Sequence, residues 1–60
     1  MEPWSLLIRL HVRGCRFVTR TGTFVLMENG DRRAVIPYHR GLVPRRLATK
    51  IAESLGVTLR

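Results

Sequence analysis

This 60-residue chain has one cysteine, one lysine and four acidic residues, and no apolar run long enough to span a membrane. A single thiol, Cys15, excludes an internal disulfide and fits a reducing compartment, so the expected location is cytoplasmic. One cysteine and two histidines do not make a convincing ligand set, so no metal and no other cofactor is expected. Arg9 interrupts the short apolar run Leu6-Leu7-Ile8, and no cleavage pattern follows it, so the start does not read as a signal peptide. A domain of this size buries only about 60% of the surface its unfolded chain exposes. Without a disulfide or metal, the expected source of extra stability is a homodimer or another partner.

Positive charge is abundant instead. Lysine and arginine number 11 against four acids, for a net charge of +7, and ten of the 11 are arginine. Guanidinium presents a planar fork of donors that matches phosphate, whereas ammonium is a point charge. The composition therefore points first to a nucleic acid and second to an acidic protein partner. The basic residues are spread over several elements, which argues against a membrane surface as the partner.

The pattern along the chain predicts one domain over residues 1–60. Pro3 suits the first turn of a helix and Gly14 its end, giving a helix over Pro3–Arg13. Its apolar stripe is Trp4, Leu7, Ile8 and His11, widened by Leu6 and Leu10. Cys15–Arg20 reads as a strand, with Phe17 and Thr19 on one face and Arg16, Val18 and Arg20 on the other. Thr21-Gly22 is a tight turn before a second strand over Thr23–Glu28. Asn29-Gly30 signals the next hairpin, and Arg32–Ile36 is a third strand stopped by Pro37. Ala34 and Ile36 share one of its faces, Arg33 and Val35 the other. After a loop, Pro44 opens a second helix in which Leu47, Ile51 and Leu55 recur every four residues, capped by Gly56. Trp4, Phe17, Leu47 and Ile51 are the expected core. The expected fold class is α+β: an α-β-β-β-α order with a three-stranded antiparallel sheet and both helices packed on one face.

Arg16, Arg20, Arg32 and Arg33 are expected to line one sheet face and to track phosphates, although a half-buried sheet needs a polar outer face in any case. Arg40, Arg45, Arg46 and Lys50 cluster at the start of the second helix, whose free backbone N–H groups also suit phosphate. Tyr38 is placed to stack on a base or to pack against its loop.

In order and residues the chain resembles the HicA-like (YcfA) toxin family. The resemblance rests on Gly14 after the first helix, on Thr19-Arg20-Thr21-Gly22-Thr23, on the Asn29-Gly30-Asp31-Arg32-Arg33 hairpin, and on Ala34–Gly41 with its Pro-x-His at Pro37-Tyr38-His39. It extends over nearly the whole chain, including the helix from Pro44 to Leu55. The resemblance implies a double-stranded-RNA-binding-like fold and a metal-free mRNA interferase (an endoribonuclease of a type II toxin-antitoxin system) paired with a HicB-like antitoxin. It also implies a catalytic histidine just after the first hairpin turn.

That histidine is missing. Counting forward from Gly14 places it at Phe24, and counting backward from Pro37 places it at Thr23. A metal-free ribonuclease takes a proton from a 2′-OH and returns one to the leaving oxygen, which suits imidazole near neutrality. Phe has no titratable group, and a Thr hydroxyl is not a useful base at pH 7. Three readings stay open: an RNA-binding relative with weak or lost cleavage, an active ribonuclease that uses His39, or a domain that binds an acidic antitoxin-like protein.

Overall fold

The computed structural model describes residues 1–38 and 41–59, so His39, Arg40 and Arg60 lie outside the described residues. The elements are α1 (Pro3–Val12), β1 (Arg16–Thr21), β2 (Phe24–Asn29), β3 (Arg32–Pro37) and α2 (Arg45–Ser54). The strands form one antiparallel sheet in the order β1-β2-β3. The layout is the α+β, α-β-β-β-α arrangement that the sequence predicts, with both helices contributing to one core on one face of the sheet.

Both helices end in the same way. At the end of α1 the Cys15 N–H donates to the Leu10 carbonyl at 3.0 Å and the Gly14 N–H to that of His11 at 3.0 Å. At the end of α2 the Val57 N–H donates to Ala52 at 2.9 Å and the Gly56 N–H to Glu53 at 3.0 Å. These are paired Schellman bonds, and each needs a left-handed residue just past the helix. Gly14 has φ +97° and Gly56 φ +73°, values that cost a side-chain-bearing residue free energy.

The hairpin loops sit one residue later than expected. Thr21 pairs with Phe24 and Asn29 with Arg32, so the loops are Gly22-Thr23 and Gly30-Asp31. In each, glycine takes the first loop position with positive φ, the place it holds in a II′ hairpin turn. Asn29 is therefore the last residue of β2, and its side chain is available to bond elsewhere.

Val25, Met27 and Ile36 point from the sheet into the core. They meet Leu6 and Leu10 of α1, and Ala48, Ile51, Ala52 and Leu55 at and beside α2. Burying leucines of this kind is worth roughly 1.5–3 kcal/mol each. The expected core is corrected at three positions. Trp4, Phe17 and Leu47 are exposed, and only Ile51 of that set is buried. On α1, apolar residues fall nearly all round the helix, and Leu6 and Leu10 take the inner line one turn apart. On α2 the buried line is Ala48, Ile51 and Ala52, continued by Leu55 just past the helix, and Leu47 falls outside it.

Candidate nucleic-acid interface

The four sheet arginines do not share a face. Between β1 and β2 the register shifts from Phe17↔Met27 to Thr19↔Leu26, so Val18 is an extra residue in a β-bulge. Before the bulge, Arg16 stands opposite Glu28, which stands opposite Arg33, on the face away from the helices. After it, Arg20 stands opposite Val25 and Ile36, on the face toward the helices. Arg32 also lies on the helix side, opposite Asn29.

On the open face, Arg16 and Arg33 are held by the chain's own carboxylate. Arg16 donates from Nε to Glu28 Oε1 at 3.1 Å and also from Nη2 to the same oxygen, while Arg33 Nε lies 3.9 Å from Oε2. The hydrogen bonds from Arg16, backed by the charges of both arginines, hold the Glu28 carboxyl below the usual carboxylate range. The same bond to Glu28 pushes the Arg16 guanidinium up. The pairs are solvated, so salt screens them.

Arg32 lies against the end of α2. A Cβ built on Gly56 would come within 3.1 Å of its Cδ and Nε, so the side chain covers the glycine.

Arg20 is placed differently again. Its guanidinium sits 4.6 Å above the centre of the Tyr38 ring, a cation–π distance, and its Nε donates to the Gly22 carbonyl at 3.4 Å. The pair forms part of a solvent-open hollow of about 660 Å³, whose walls also include Glu2, Trp4, Gly41 and Leu42. Trp4 is 58% exposed there. Glu2 is the N-cap of α1, yet its side chain makes no capping bond.

The helix side carries a second concentration of charge. Arg9 of α1 and Arg45 of α2 line one groove of about 610 Å³ together with Met1, Thr49 and Glu53. Arg46 and Lys50 are exposed on the neighbouring ridge of α2, one turn apart. The first helical bond in α2 runs from the Ala48 N–H to the Pro44 carbonyl at 2.9 Å. The N–H groups of residues 45 to 47 are thus free of helical partners, and neither an acidic residue of the first turn nor a capping side chain stands at that end. Among the described residues the ion pairs converge on Glu28, and Arg9, Arg45, Arg46 and Lys50 have no carboxylate within 4 Å.

The positions of the expected histidine hold no base. Phe24 opens β2 on the open face between Thr21 and Pro37, and Thr23 lies in the turn with its carbonyl accepting from the Tyr38 N–H. His11 is exposed on α1, in an apolar groove with Trp4, Ile8 and Phe17. His39 and Arg40 fall outside the described residues. Among the described residues no group of His, Cys, Asp or Glu could hold a metal ion, and no helix is long and apolar enough to cross a membrane. Burial pushes the Cys15 thiol up, away from thiolate chemistry.

Of the residues at these two concavities and the α2 ridge, the sequence singles out Arg20, Tyr38, Arg45, Arg46 and Lys50 as candidates, but not Glu2, Trp4 or Arg9. Helical spacing puts Trp4 in the core, because spacing alone does not say which side of a largely apolar helix faces inward. Fold and surface together define a small basic α+β domain with two cation-bearing concavities. The chain matches no protein-family model, no curated protein and no solved structure.

Proposed function

We propose that this chain is a cytoplasmic RNA-binding domain of the HicA-like kind, without the histidine on which that family's cleavage depends. The observation that carries the reading is the set of cations on the helix side. Arg9 and Arg45 share one groove and Arg46 and Lys50 are exposed on α2 beside it, all four without a carboxylate partner among the described residues, near a helix end whose first N–H groups have no helical partner. Such an arrangement suits a run of phosphates. The α-β-β-β-α order with both helices on one face is the layout a double-stranded-RNA-binding-like fold requires. A HicB-like antitoxin is the protein partner that this reading implies.

The test is a titration of fluorescent RNA across a series of salt concentrations. Affinity falls steeply with salt, and an Arg45→Ala, Arg46→Ala, Lys50→Ala variant flattens the slope by roughly 0.7–0.9 for each phosphate it no longer neutralises. A flat response in the original chain would overturn the reading.

A second reading, a protein-interaction domain, rests on a different surface. Trp4, Ile8 and Phe17 are all exposed along one groove beside β1, whose outer edge has no strand partner among the described residues. An edge strand beside apolar surface is where an added strand docks. A homodimer formed through β1 belongs to the same reading, and sedimentation of the chain with and without a Phe17→Arg substitution checks it. Absence of RNA binding at low salt would favour this reading over the first.

A further inference from the structure

We propose that the hollow between the start of α1 and the ends of β1 and β3 is a site for one unpaired guanine base. This inference rests on the RNA reading and adds to it which nucleotide is held, and where.

Three features of the hollow point to a base. Planar platforms are already assembled: the Arg20 guanidinium sits over Tyr38, 4.6 Å from its centre, and Trp4 is exposed in the same hollow. Bases stack on aromatic rings and on guanidinium planes alike. Charge then separates this hollow from the groove between the helices. Among its described lining residues Glu2 offsets Arg20, whereas Arg9 and Arg45 outnumber Glu53 in the groove. Finally, the hollow, about 660 Å³ and open to solvent, has room for a base to enter from a flexible strand.

Glu2 selects the base. A carboxylate offers two acceptor oxygens and no donor. Those of Glu2 form no ion pair among the described residues, and the residue caps α1 by position without a side-chain bond to it. Guanine alone among the four RNA bases presents two adjacent donors, N1–H and the 2-amino group, along its pairing edge. One carboxylate receives both at once. Adenine and cytosine set a single amino donor beside a ring acceptor, and uracil flanks its one N–H with two carbonyl oxygens, so each turns an acceptor toward Glu2. In a duplex the pairing edge of guanine is occupied and its faces are covered by neighbours. The site therefore takes a guanine from a loop, a bulge or a single strand.

The experiment uses the full chain and uridine octamers that carry one central guanosine, adenosine or inosine. Binding is read by anisotropy and by the fluorescence of Trp4, the chain's one tryptophan. The guanosine octamer binds about tenfold more tightly than the adenosine one, the size of one good bidentate pair, and quenches Trp4. Inosine, which lacks the 2-amino group, falls between them. Glu2→Gln removes the preference and leaves the salt dependence in place, and Trp4→Ala weakens all three octamers. GMP binds more tightly than AMP, with a weaker salt dependence than the octamer shows.

Equal affinity for the guanosine and adenosine octamers, with unchanged Trp4 fluorescence and a normal salt slope, would overturn the guanine site and leave the RNA reading standing. Retained preference in Glu2→Gln would overturn the assigned selector. GMP binding as tight as that of the octamer would place the site outside an RNA surface. No binding of any octamer at low salt would remove both readings together.

Discussion

The side chain of Asn29 donates from Nδ2 to the carbonyl oxygen of Leu55 at 2.7 Å, which joins the second hairpin to the end of α2 across 26 positions of sequence. The carbonyls at a helix end have no helical donor, and Asn29 satisfies this one in a partly buried place. Asn29→Ala leaves that acceptor bare and destabilises the domain by about 1–2 kcal/mol. Asn29→Asp costs more, because it sets acceptor against acceptor. Urea denaturation of both variants checks the order, and equal stability of all three proteins would contradict it.

The two capping glycines separate strain from crowding. A methyl group on Gly14 would meet open space, whereas one on Gly56 would come within 3.1 Å of Arg32. Gly14→Ala loses about 1–2 kcal/mol from the left-handed backbone alone. Gly56→Ala loses that and the cost of moving Arg32 as well. An added Arg32→Ala in the Gly56→Ala background recovers the difference, and thermal melts of the three variants give the comparison.

Glu28 makes stability depend on pH in a defined direction. Its folded-state pKa is depressed, so the unfolded chain takes up its proton first as pH falls. The contribution is complete above the ordinary glutamate value of about 4.3 and is lost as pH falls through the lower folded value. Arg16→Ala returns the Glu28 titration, followed by NMR of its side-chain carboxyl, toward the ordinary value. Added salt has a similar but weaker effect, since the pair is solvated.

Restoring a histidine tests the family reading. His at 23 would stand in the turn beside the Arg20–Tyr38 pair, and His at 24 on the open face between Thr21 and Pro37. Thr23→His or Phe24→His creates RNA cleavage in EDTA if the scaffold is that of a metal-free interferase. Folded variants that both stay inert would count against the relationship.

Much of the fold was legible because several local signals agreed. Pro3, Gly14, Pro44 and Gly56 bracket the helices, and the glycines at 22 and 30 mark the two loops, each displaced from expectation by one residue. The alternation of Ala34 and Ile36 with Arg33 and Val35 gave the faces of β3 correctly. The faces of β1 were not legible. Val18 has the look of an ordinary strand residue, and only pairing with β2 makes it the unpaired one. The inner side of α1 was hidden for a related reason, since a helix with apolar residues on most sides has several equivalent phases. Arg9 and Glu2 gained their places in the two concavities through tertiary packing, which no local pattern records.

The bulge at Val18 has a consequence for how this strand can change. One additional residue reverses odd and even along β1, so Arg16 and Arg20, four positions apart, serve opposite sides of the molecule. Removing that residue would turn the second guanidinium away from Tyr38 and add it to the row already neutralised by Glu28. The aromatic ring would then lose its cation, and among the described lining residues the hollow would keep the charge of Glu2 without that of Arg20. Parity, more than composition, decides which surface an arginine of this strand belongs to, and a single codon lost or gained would reassign it.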